Sequence, residues 1–255
     1  MNRFFLPPEA IQAGQVAFPG EVSRQIARVL RLKPGDRVAV LDDLGSEHLV
    51  ELVSVAADAG SGAIRESRAA PGEPPVRLTL YLCLPQREKL EWILQKCTEV
   101  GVSAFAPVIS RRSLVREQVD VERKLERWQR ILREAAEQSG RGRIPTIAPV
   151  MSFLEALRSG VSSQQACLLA WEEERERGLS ALLAGLNGLE RIALLIGPEG
   201  GLSADEAGAA VELGWQSFSL GRRTLRMETA AVVACARILA ALEDSPGGSS
   251  RDYSV

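Results

Sequence analysis

The first seventy residues alternate apolar and polar positions in short runs that end at turn signals. The apolar run at residues 38–41 stops at Asp42-Asp43-Leu44-Gly45, and Pro34-Gly35-Asp36 marks another turn. Residues 48–55 continue with a less regular alternation. Short alternating runs separated by Gly, Pro and Asp are typical of strands joined by tight turns. The pattern therefore predicts a small β-rich region from residue 1 to about residue 70.

A segment rich in proline and glycine follows this region. Residues 70–75 read Ala-Pro-Gly-Glu-Pro-Pro, a composition that interrupts both helices and strands. We expect a domain linker here, with a first domain at residues 1–72 and a second domain at residues 73–245. Residues 246–255 are rich in Gly and Ser, so we expect a disordered tail.

Beyond the linker, runs with the period of a strand alternate with runs that have the period of a helix. Strands are predicted at 76–84, 102–109, 166–171, 191–196 and 215–220, and helices at 90–100, 125–139, 204–213 and 228–242. Ser203-Ala204-Asp205-Glu206 is a capping box, which marks the start of a helix. Apart from Arg191, residues 166–171 and 191–196 are continuously apolar, as in strands that are buried on both faces. The order predicts an α/β domain with a mostly parallel sheet.

Composition narrows the possible functions. The chain has 255 residues and a net charge of −2, yet five basic residues and one acid lie between Arg24 and Arg37. Such a local patch suits contact with nucleic acid, although a solvated surface explains it equally. Four scattered cysteines and one histidine predict no metal site. No apolar run is long enough to span a bilayer and no secretory signal is evident, so we expect a cytoplasmic protein without membrane contact.

Two loops that follow predicted buried strands carry the candidate chemistry. Residues 195–203 read LIGPEGGLS, and residues 220–231 read LGRRTLRMETAA. Open α/β folds bind ligands at the carboxyl ends of their strands, and glycine lets the backbone approach a ligand closely. The phosphate-binding patterns GxxxxGK[ST] and GxGxxG are both absent. A plain strand-to-helix turn and a solvated basic turn stay open as alternatives, as does an anion site in an enzyme that acts on nucleotide phosphates.

Long segments of the chain resemble a known family. The paired segments IGPEGGLS and LGRRTLRMETAA, together with QKCTEVGVSAFAPVISRRS and WQRILREAAEQSGRGRIPTIAP, are similar to those of the RsmE-type 16S rRNA uridine-N3 methyltransferases of the SPOUT superfamily. The N-terminal RFFL and VLRLKPGD also match, so the resemblance covers nearly the whole chain. The chain departs from the family pattern at Ser23 and Arg24, where a histidine pair is common, and at Arg222, Thr224 and Met227, where the family has Pro, Ile and Thr.

The resemblance implies a fold, a cofactor and partners. It implies a C-terminal SPOUT domain with a trefoil knot, a PUA-like N-terminal domain that binds RNA, and a homodimer. The substrate would be 16S rRNA or the small ribosomal subunit, and the cofactor would be S-adenosyl-L-methionine (SAM). Three loops would hold SAM: the loop after the strand at 167–171 and the two glycine loops. The residues that it assigns to the cofactor are Ile196, Gly197, Gly200, Gly201, Leu220, Gly221 and Leu225.

We expect two residues of the second loop to be catalytic. Uridine N3 is a poor nucleophile until its proton leaves, so a cation near O2 or O4 would stabilise the resulting anion, and Arg226 is assigned to that role. Glu228 is assigned as a base or as a partner that holds Arg226, while a carboxylate that only stabilises a helix N-terminus is an equal alternative. The candidate RNA-binding residues are Arg3, Arg28, Arg31, Arg111 and Arg112. A ribose 2′-O-methyltransferase and a non-catalytic RNA-binding assembly factor are the alternative functions.

Overall fold

The structure is a computed structural model that describes residues 1–85, 88–113, 124–163, 166–186 and 188–244. The chain forms two compact units. The first comprises Met1–Glu73 and Arg133–Ile144, and the second comprises Pro74–Leu132 and Pro145–Val255. The first unit is therefore built from two separate stretches of the chain. The predicted tail at residues 246–255 lies outside the described residues.

A mixed β-sheet forms the framework of the first unit. Its described strands are β1 (Arg3–Phe5), β2 (Ile11–Gln12), β3 (Gln15–Phe18), β4 (Arg37–Leu41), β5 (Ser46–Ser54) and β6 (Gly60–Ala69). They are ordered β1-β4-β5-β6-β3-β2, and β1 pairs with β4 in parallel while the other described pairs are antiparallel. A short helix, α1 (Gly20–Arg24), continues as a π-helical turn at Gln25–Val29. Phe4, Phe18, Ile26, Val40 and Val50 belong to the buried core.

Residues 133–144 complete the first unit. Ala136 is buried together with Phe5 and Leu41, and Ile144 packs against this cluster. The Phe5 backbone N–H donates a hydrogen bond to Glu137 Oε1 at 3.0 Å. Burial raises the pKa of Glu137, and the Phe5 hydrogen bond opposes that shift. This segment is therefore part of the hydrophobic core of the first unit, although it lies sixty residues further along the chain.

The guanidinium of Arg141 anchors the end of the Pro- and Gly-rich segment. Its side chain is 2% exposed, and its Nε and Nη2 donate to the two carboxylate oxygens of Glu73 at 3.2 and 3.1 Å. Gly72 N–H donates to Gly140 O at 3.2 Å, and a Cβ on Gly72 would lie 2.6 Å from that oxygen. The segment lacks regular structure, as predicted, but its first residues are held firmly by residues 140–143.

A parallel sheet forms the centre of the second unit. Its described strands are β7 (Arg77–Cys83), β8 (Ala104–Ile109), β9 (Thr146–Ile147), β10 (Met151–Ser152), β11 (Ala166–Ala170), β12 (Arg191–Ile196) and β13 (Gln216–Phe218). The order is β10-β8-β7-β12-β11-β13, with β9 paired to β8, and every pairing between described strands is parallel. The central strand β12 is apolar after Arg191 and buried throughout that run because both of its faces are covered.

Helices surround this sheet. They are α2 (Glu88–Val100), α3 (Leu125–Ser139), α4 (Phe153–Ser163), α5 (Leu179–Leu183), α6 (Ala204–Glu212) and α7 (Met227–Glu243). The predicted capping box is present: the Ser203 hydroxyl accepts the Glu206 N–H while the Glu206 carboxylate accepts the Ser203 N–H. Gly101 ends α2 with a φ of +119°, a conformation that favours glycine. Helix α3 contributes residues to both units: Leu125–Leu132 belongs to the second unit and Arg133–Ser139 to the first.

The predicted fold class is confirmed. A β-rich sheet precedes an α/β unit with a parallel sheet, and strand β12 has the bounds that the apolar run predicts. Helices α4 and α5 were not predicted: α5 has only five residues, and α4 contains Gly160 and ends in three residues of low helix propensity, Val161-Ser162-Ser163. The trefoil knot that the family resemblance implies stays a prediction, as does the division into domains at residues 72 and 73.

Candidate active site

Three loops surround a cavity at the carboxyl edge of the parallel sheet. Strands β11, β12 and β13 are parallel neighbours, so the loops that follow them leave the sheet at the same edge. The cavity has a volume of about 630 Å³. Small-molecule sites usually span roughly 300–1,000 Å³, so the cavity is large enough for a cofactor. It is lined by residues 170–173 and 175, residues 196–201, residues 219–227, Lys89 and Ala230.

The structure brings together the residues that the sequence assigns to the cofactor. All seven line the cavity: Ile196, Gly197, Gly200, Gly201, Leu220, Gly221 and Leu225. Arg226 lines it as well. The indole N–H of Trp171, another lining residue, is buried and donates no hydrogen bond within the described part of the chain. A buried donor on the wall of a cavity fits a polar ligand. Backbone groups, apolar walls and this donor are therefore compatible with SAM.

Glycine is required at these positions of the site for different structural reasons. Gly221 has a φ of +127° and Gly201 a φ of +68°, so both use backbone conformations that other residues rarely adopt. A Cβ on Gly201 would lie 1.6 Å from Glu172 Oε1, whereas a Cβ on Gly221 would meet no atom within 4 Å. Gly197 differs, because its Cβ would lie 3.0 Å from the Leu202 side chain. Gly197 is therefore explained by packing within its own loop, and Gly221 by its backbone conformation.

Glu174 organises the loop after β11. One carboxylate oxygen accepts the buried Ser217 hydroxyl at 2.5 Å, and the other accepts the N–H groups of Glu176 and Arg177 at 2.9 and 3.2 Å. The Ser217 hydrogen bond is the largest cause of the lowered pKa of Glu174. Ser219 N–H also donates to Arg177 O at 2.8 Å. These bonds fix the loop against β13, next to the cavity wall.

The two predicted catalytic residues lie at the start of α7. Arg226 is the N-cap residue of that helix; it is exposed and makes no ion pair with a described residue. Glu228 lies in the first turn, and Lys89 Nζ is 3.6 Å from its Oε2. The described contacts of Glu228 therefore join it to Lys89 and include no ion pair with Arg226. A role of Glu228 in catalysis stays a prediction.

Several lining residues were not predicted from the sequence. Lys89, Trp171, Glu172 and Arg175 were not singled out individually. Lys89 is the second residue of α2, six positions beyond the end of β7, and its segment lacks the dense glycines and arginines that selected the two glycine loops. Glu172 and Arg175 lie in the loop after β11, which the resemblance implied without naming residues.

The predicted RNA-binding arginines lie in different surroundings. In the first unit, Arg28 and Arg31 are exposed and make no ion pair with a described residue, whereas Arg3 Nε lies 3.2 Å from Glu47 Oε1. In the second unit, Arg111 Nη1 pairs with Asp205 Oδ2 at 3.2 Å, and Arg112 Nη1 donates to Gly200 O at 2.7 Å. Arg112 thus supports the glycine loop directly. RNA contact by each of the five stays a prediction.

Two other properties concern the described residues only. None of their helices combines the length and the apolar character that crossing a bilayer requires. No group of three or more His, Cys, Asp or Glu side chains among them is arranged to hold a metal ion.

The four cysteines are free and buried, and burial raises the pKa of the Cys83 thiol to about 12.

Comparison with known proteins defines the class. Residues 72–239 match the family model of an RNA methyltransferase domain, and residues 18–59 match that of an RNA methyltransferase PUA domain. The fold and the loop-lined cavity are thus those of a PUA-containing RNA methyltransferase. Ribosomal RNA small subunit methyltransferase E of Synechocystis sp. is 36% identical over 94% of this chain and 78% of that protein. The enzyme of that name in Bacillus subtilis is 34% identical over 93% of this chain and 96% of its own.

A solved structure agrees with these relatives. The crystal structure of ribosomal RNA small subunit methyltransferase E from Neisseria gonorrhoeae, bound to S-adenosyl methionine, has a TM-score of 0.83 and 32% identity, and covers 94% of this chain and 97% of that one. The chain belongs to the family of ribosomal RNA small subunit methyltransferase E. The resemblance to the RsmE-type enzymes and the PUA-like assignment of the first domain are confirmed.

Proposed function

We propose that this enzyme transfers the methyl group of SAM to N3 of a uridine in 16S rRNA of the small ribosomal subunit. The family membership and the SAM-bound relative support SAM-dependent methylation of small-subunit ribosomal RNA. The observation that carries the proposal is the cavity, because three loops of the parallel sheet converge on it and place Arg226 on its wall. The choice of uridine N3 rests on the motifs of the two glycine loops.

The residues of the site have complementary roles in this proposal. SAM supplies an electrophilic methyl group, so the chain has mainly to hold donor and acceptor in line. Ile196, Leu220 and Leu225 provide apolar walls, and the glycine backbones at 197, 200, 201 and 221 provide close polar contacts. Arg226 stabilises the negative charge that develops on the uridine oxygens when N3 loses its proton. The N3 proton passes to Glu228 in the first turn of α7, or to water if Glu228 only holds Arg226 in place.

In this proposal the first unit binds the RNA substrate. Arg28 and Arg31 belong to the exposed basic segment between Arg24 and Arg37 and are available for phosphate contact. We predict that Arg28→Ala and Arg31→Ala each weaken rRNA binding and lower the salt slope of the affinity by about one counterion. SAM affinity should not change, because neither residue lines the cavity. Filter binding across a salt series measures the slope, and an unchanged slope in both variants would contradict the assignment.

Arg3, Arg111 and Arg112 are weaker candidates for RNA contact. Arg3 and Arg111 each have a carboxylate partner, and Arg112 binds a backbone carbonyl. Phosphate contact would have to compete with these bonds. We retain them as candidates whose substitution should weaken RNA binding less than that of Arg28 or Arg31.

We also propose that the enzyme acts as a homodimer in the cytoplasm, where ribosomal RNA is modified. Helix α7 is apolar around most of its circumference, but this chain itself buries Ala231, Ala234, Ile238, Leu239 and Leu242. Ala230, Val232 and Val233 are half-buried, so they are among the apolar residues of α7 that remain available to a second copy. Light scattering at micromolar concentration tests the dimer, and a monomer would contradict it.

Transfer of radiolabel tests the reaction itself. The enzyme is incubated with methyl-labelled SAM and 16S rRNA or small subunits from a strain that lacks the enzyme, and the RNA is digested to nucleosides for mass spectrometry. We expect N3-methyluridine and at least a hundredfold lower rate for Arg226→Ala, in line with the loss of an oxyanion-stabilising donor. A 2′-O-methylated nucleoside would favour the ribose methyltransferase, and RNA binding without transfer would favour the assembly factor.

A further inference from the structure

One lysine joins the two glycine loops of the cavity. Lys89 is the second residue of α2, and its side chain is 36% exposed and lines the cavity. Its Nζ lies 3.3 Å from Glu199 Oε1 and 3.6 Å from Glu228 Oε2. Glu199 belongs to the loop after β12, and Glu228 follows the loop after β13. A single cation therefore contacts a carboxylate from each loop.

The carboxylate of Glu228 depends on this cation. Its Oε2 is buried and accepts no hydrogen bond within the described part of the chain, and its side chain is only 20% exposed. A carboxylate oxygen withdrawn from water requires a nearby positive charge. Removing one partner of such a pair leaves the other charge uncompensated. Without Lys89, Glu228 is expected to turn toward water, and the start of α7 would move with it.

Movement at Glu228 would reach the reaction centre through the helix start. Arg226 is the N-cap residue of α7, and its carbonyl oxygen accepts the Ala230 N–H at 2.8 Å. This bond belongs to the first turn of α7, so a shift of that turn at Glu228 would carry Arg226 with it. At the other loop, Glu199 lies between Pro198 and Gly200, so its ion pair restrains the backbone that lines the cavity.

We propose that Lys89 is a positioning residue that holds the two glycine loops at the separation that SAM binding and methyl transfer require. This inference rests on the proposed function. Lys89 acts through Glu199 and Glu228, so its contribution should depend on its charge and on the presence of those carboxylates. A lysine that touched the ligand directly would contribute whether or not Glu228 carries a charge.

Binding of SAM to four variants of the full-length chain separates these cases. We expect Lys89→Met to raise the Kd for SAM about tenfold and Lys89→Arg to restore it to within about threefold of the wild type. The double variant Lys89→Met/Glu228→Gln should bind SAM better than Lys89→Met alone, because it no longer contains the carboxylate whose buried oxygen has lost its cation, although Glu199 remains. Lys96→Met is the control on the same helix, since Lys96 pairs with Glu99 at 2.9 Å and lies outside the cavity lining.

Turnover provides a second measurement. Lys89→Met should lower kcat, because Arg226 is displaced, and leave KM for RNA unchanged. Thermal unfolding identifies variants that do not fold, and Lys89→Gln replaces Lys89→Met if necessary. Wild-type SAM affinity in Lys89→Met, or no recovery in the double variant, would overturn the inference. Absence of SAM binding by the wild type would instead overturn the proposed function.

Discussion

Backbone conformation decides the identity of single residues in the candidate site. Gly221 combines a φ of +127° with open space where a Cβ would point, so a larger residue would meet strain before it met another protein atom. Such backbone strain costs about 1–3 kcal/mol. A change at Gly221 therefore alters the loop itself as well as the space available to a ligand.

We predict that Gly221→Ala lowers the free energy of unfolding by about 1–3 kcal/mol. It should also weaken SAM binding, because the loop leaves its native conformation to relieve the strain. Calorimetric titration measures the affinity, and thermal melting measures the stability. Gly185→Ala is the matched control, since a Cβ there meets nothing within 4 Å and its φ is not positive. Unchanged SAM affinity in folded Gly221→Ala would remove this loop from the cofactor site.

A buried carboxylate makes the stability of the first unit sensitive to pH. Glu47 is 2% exposed, and its oxygens lie 3.2 Å from Arg3 Nε and 2.7 Å from Arg68 Nη2. Burial alone would raise the pKa of Glu47, but the hydrogen bonds and charges of Arg68 and Arg3 lower it below its ordinary value of 4.5. A lowered carboxyl pKa stabilises the fold above the unfolded-state pKa, and this contribution is lost as pH falls through the folded-state pKa.

We predict that Glu47→Gln lowers the free energy of unfolding by about 1–3 kcal/mol at neutral pH, since the buried partner of two arginines loses its charge. The difference from the wild type should shrink as pH falls below 4.5 and Glu47 of the wild type becomes protonated. Urea unfolding at a series of pH values measures it. Glu51→Gln, at an exposed pair with Arg65, should show much smaller changes. A difference that grows in acid would contradict the prediction.

The sequence identifies some residues of the site better than others. The amino-acid sequence alone shows that glycines and arginines are unusually dense after two apolar runs. These segments, at residues 196–201 and 220–226, do line the cavity. Lys89 and Trp171 belong to segments of ordinary composition. Their positions follow from the order of strands in the sheet, and strand order cannot be derived from periodicity. Side-chain partners such as Glu228 and Lys89 are separated by more than a hundred residues, so no local pattern links them.

Packing against one tryptophan links two elements of the second unit. Trp215, just before β13, is 2% exposed, donates from Nε1 to Leu157 O at 3.2 Å, and packs edge-on against Tyr81 at 5.6 Å. Gly160 of α4 lies against its ring, and a Cβ there would be 2.4 Å from Trp215 Cζ2. Helix α4 was not predicted from its apolar pattern. The ring contact explains why α4 contains a glycine in its interior despite the low helix propensity of that residue.

We predict that Gly160→Ala destabilises the protein by about 1–3 kcal/mol, because the added methyl group overpacks the tryptophan ring. Gly208→Ala in α6 is the matched control, since a Cβ there meets nothing within 4 Å. It should stabilise the protein by up to about 1 kcal/mol through helix propensity alone. Thermal unfolding of both variants checks the opposite signs. Equal stabilisation by the two substitutions would show that α4 can move away from Trp215.

In the whole molecule, the sequence pattern does not predict that residues 133–144 belong to the first unit. The apolar stripe of α3 predicts a helix up to Ser139, and the helix is observed, but the stripe does not indicate which sheet each part contacts. Residues 133–144 belong with Met1–Glu73 because Ala136 and Ile144 pack with Phe5 and Leu41. The composition of residues 70–75 predicts a break in regular structure. It cannot show that Glu73 is bound by Arg141.

This division of the chain determines how a fragment from Pro75 onward should behave. The fragment contains every residue that lines the cavity, so we expect it to bind SAM. It lacks the basic segment between Arg24 and Arg37, so it should methylate ribosomal RNA poorly. It also lacks Phe5 and Leu41, so Ala136, which is fully buried in the intact chain, should become exposed to water.

We predict that Ala136→Glu destabilises the intact chain but not the fragment. In the intact chain it places a charge in the core of the first unit, so the free energy of unfolding should fall by several kcal/mol. In the fragment the same carboxylate faces water, so stability and SAM affinity should be unchanged and solubility should improve. Thermal unfolding, SAM titration and rRNA methylation of the four proteins measure these effects. If Ala136→Glu destabilises the fragment as strongly as the intact chain, residues 133–144 find their packing partners within the second unit. If the unsubstituted fragment methylates ribosomal RNA at the same rate as the intact enzyme, the first unit is not required for RNA binding.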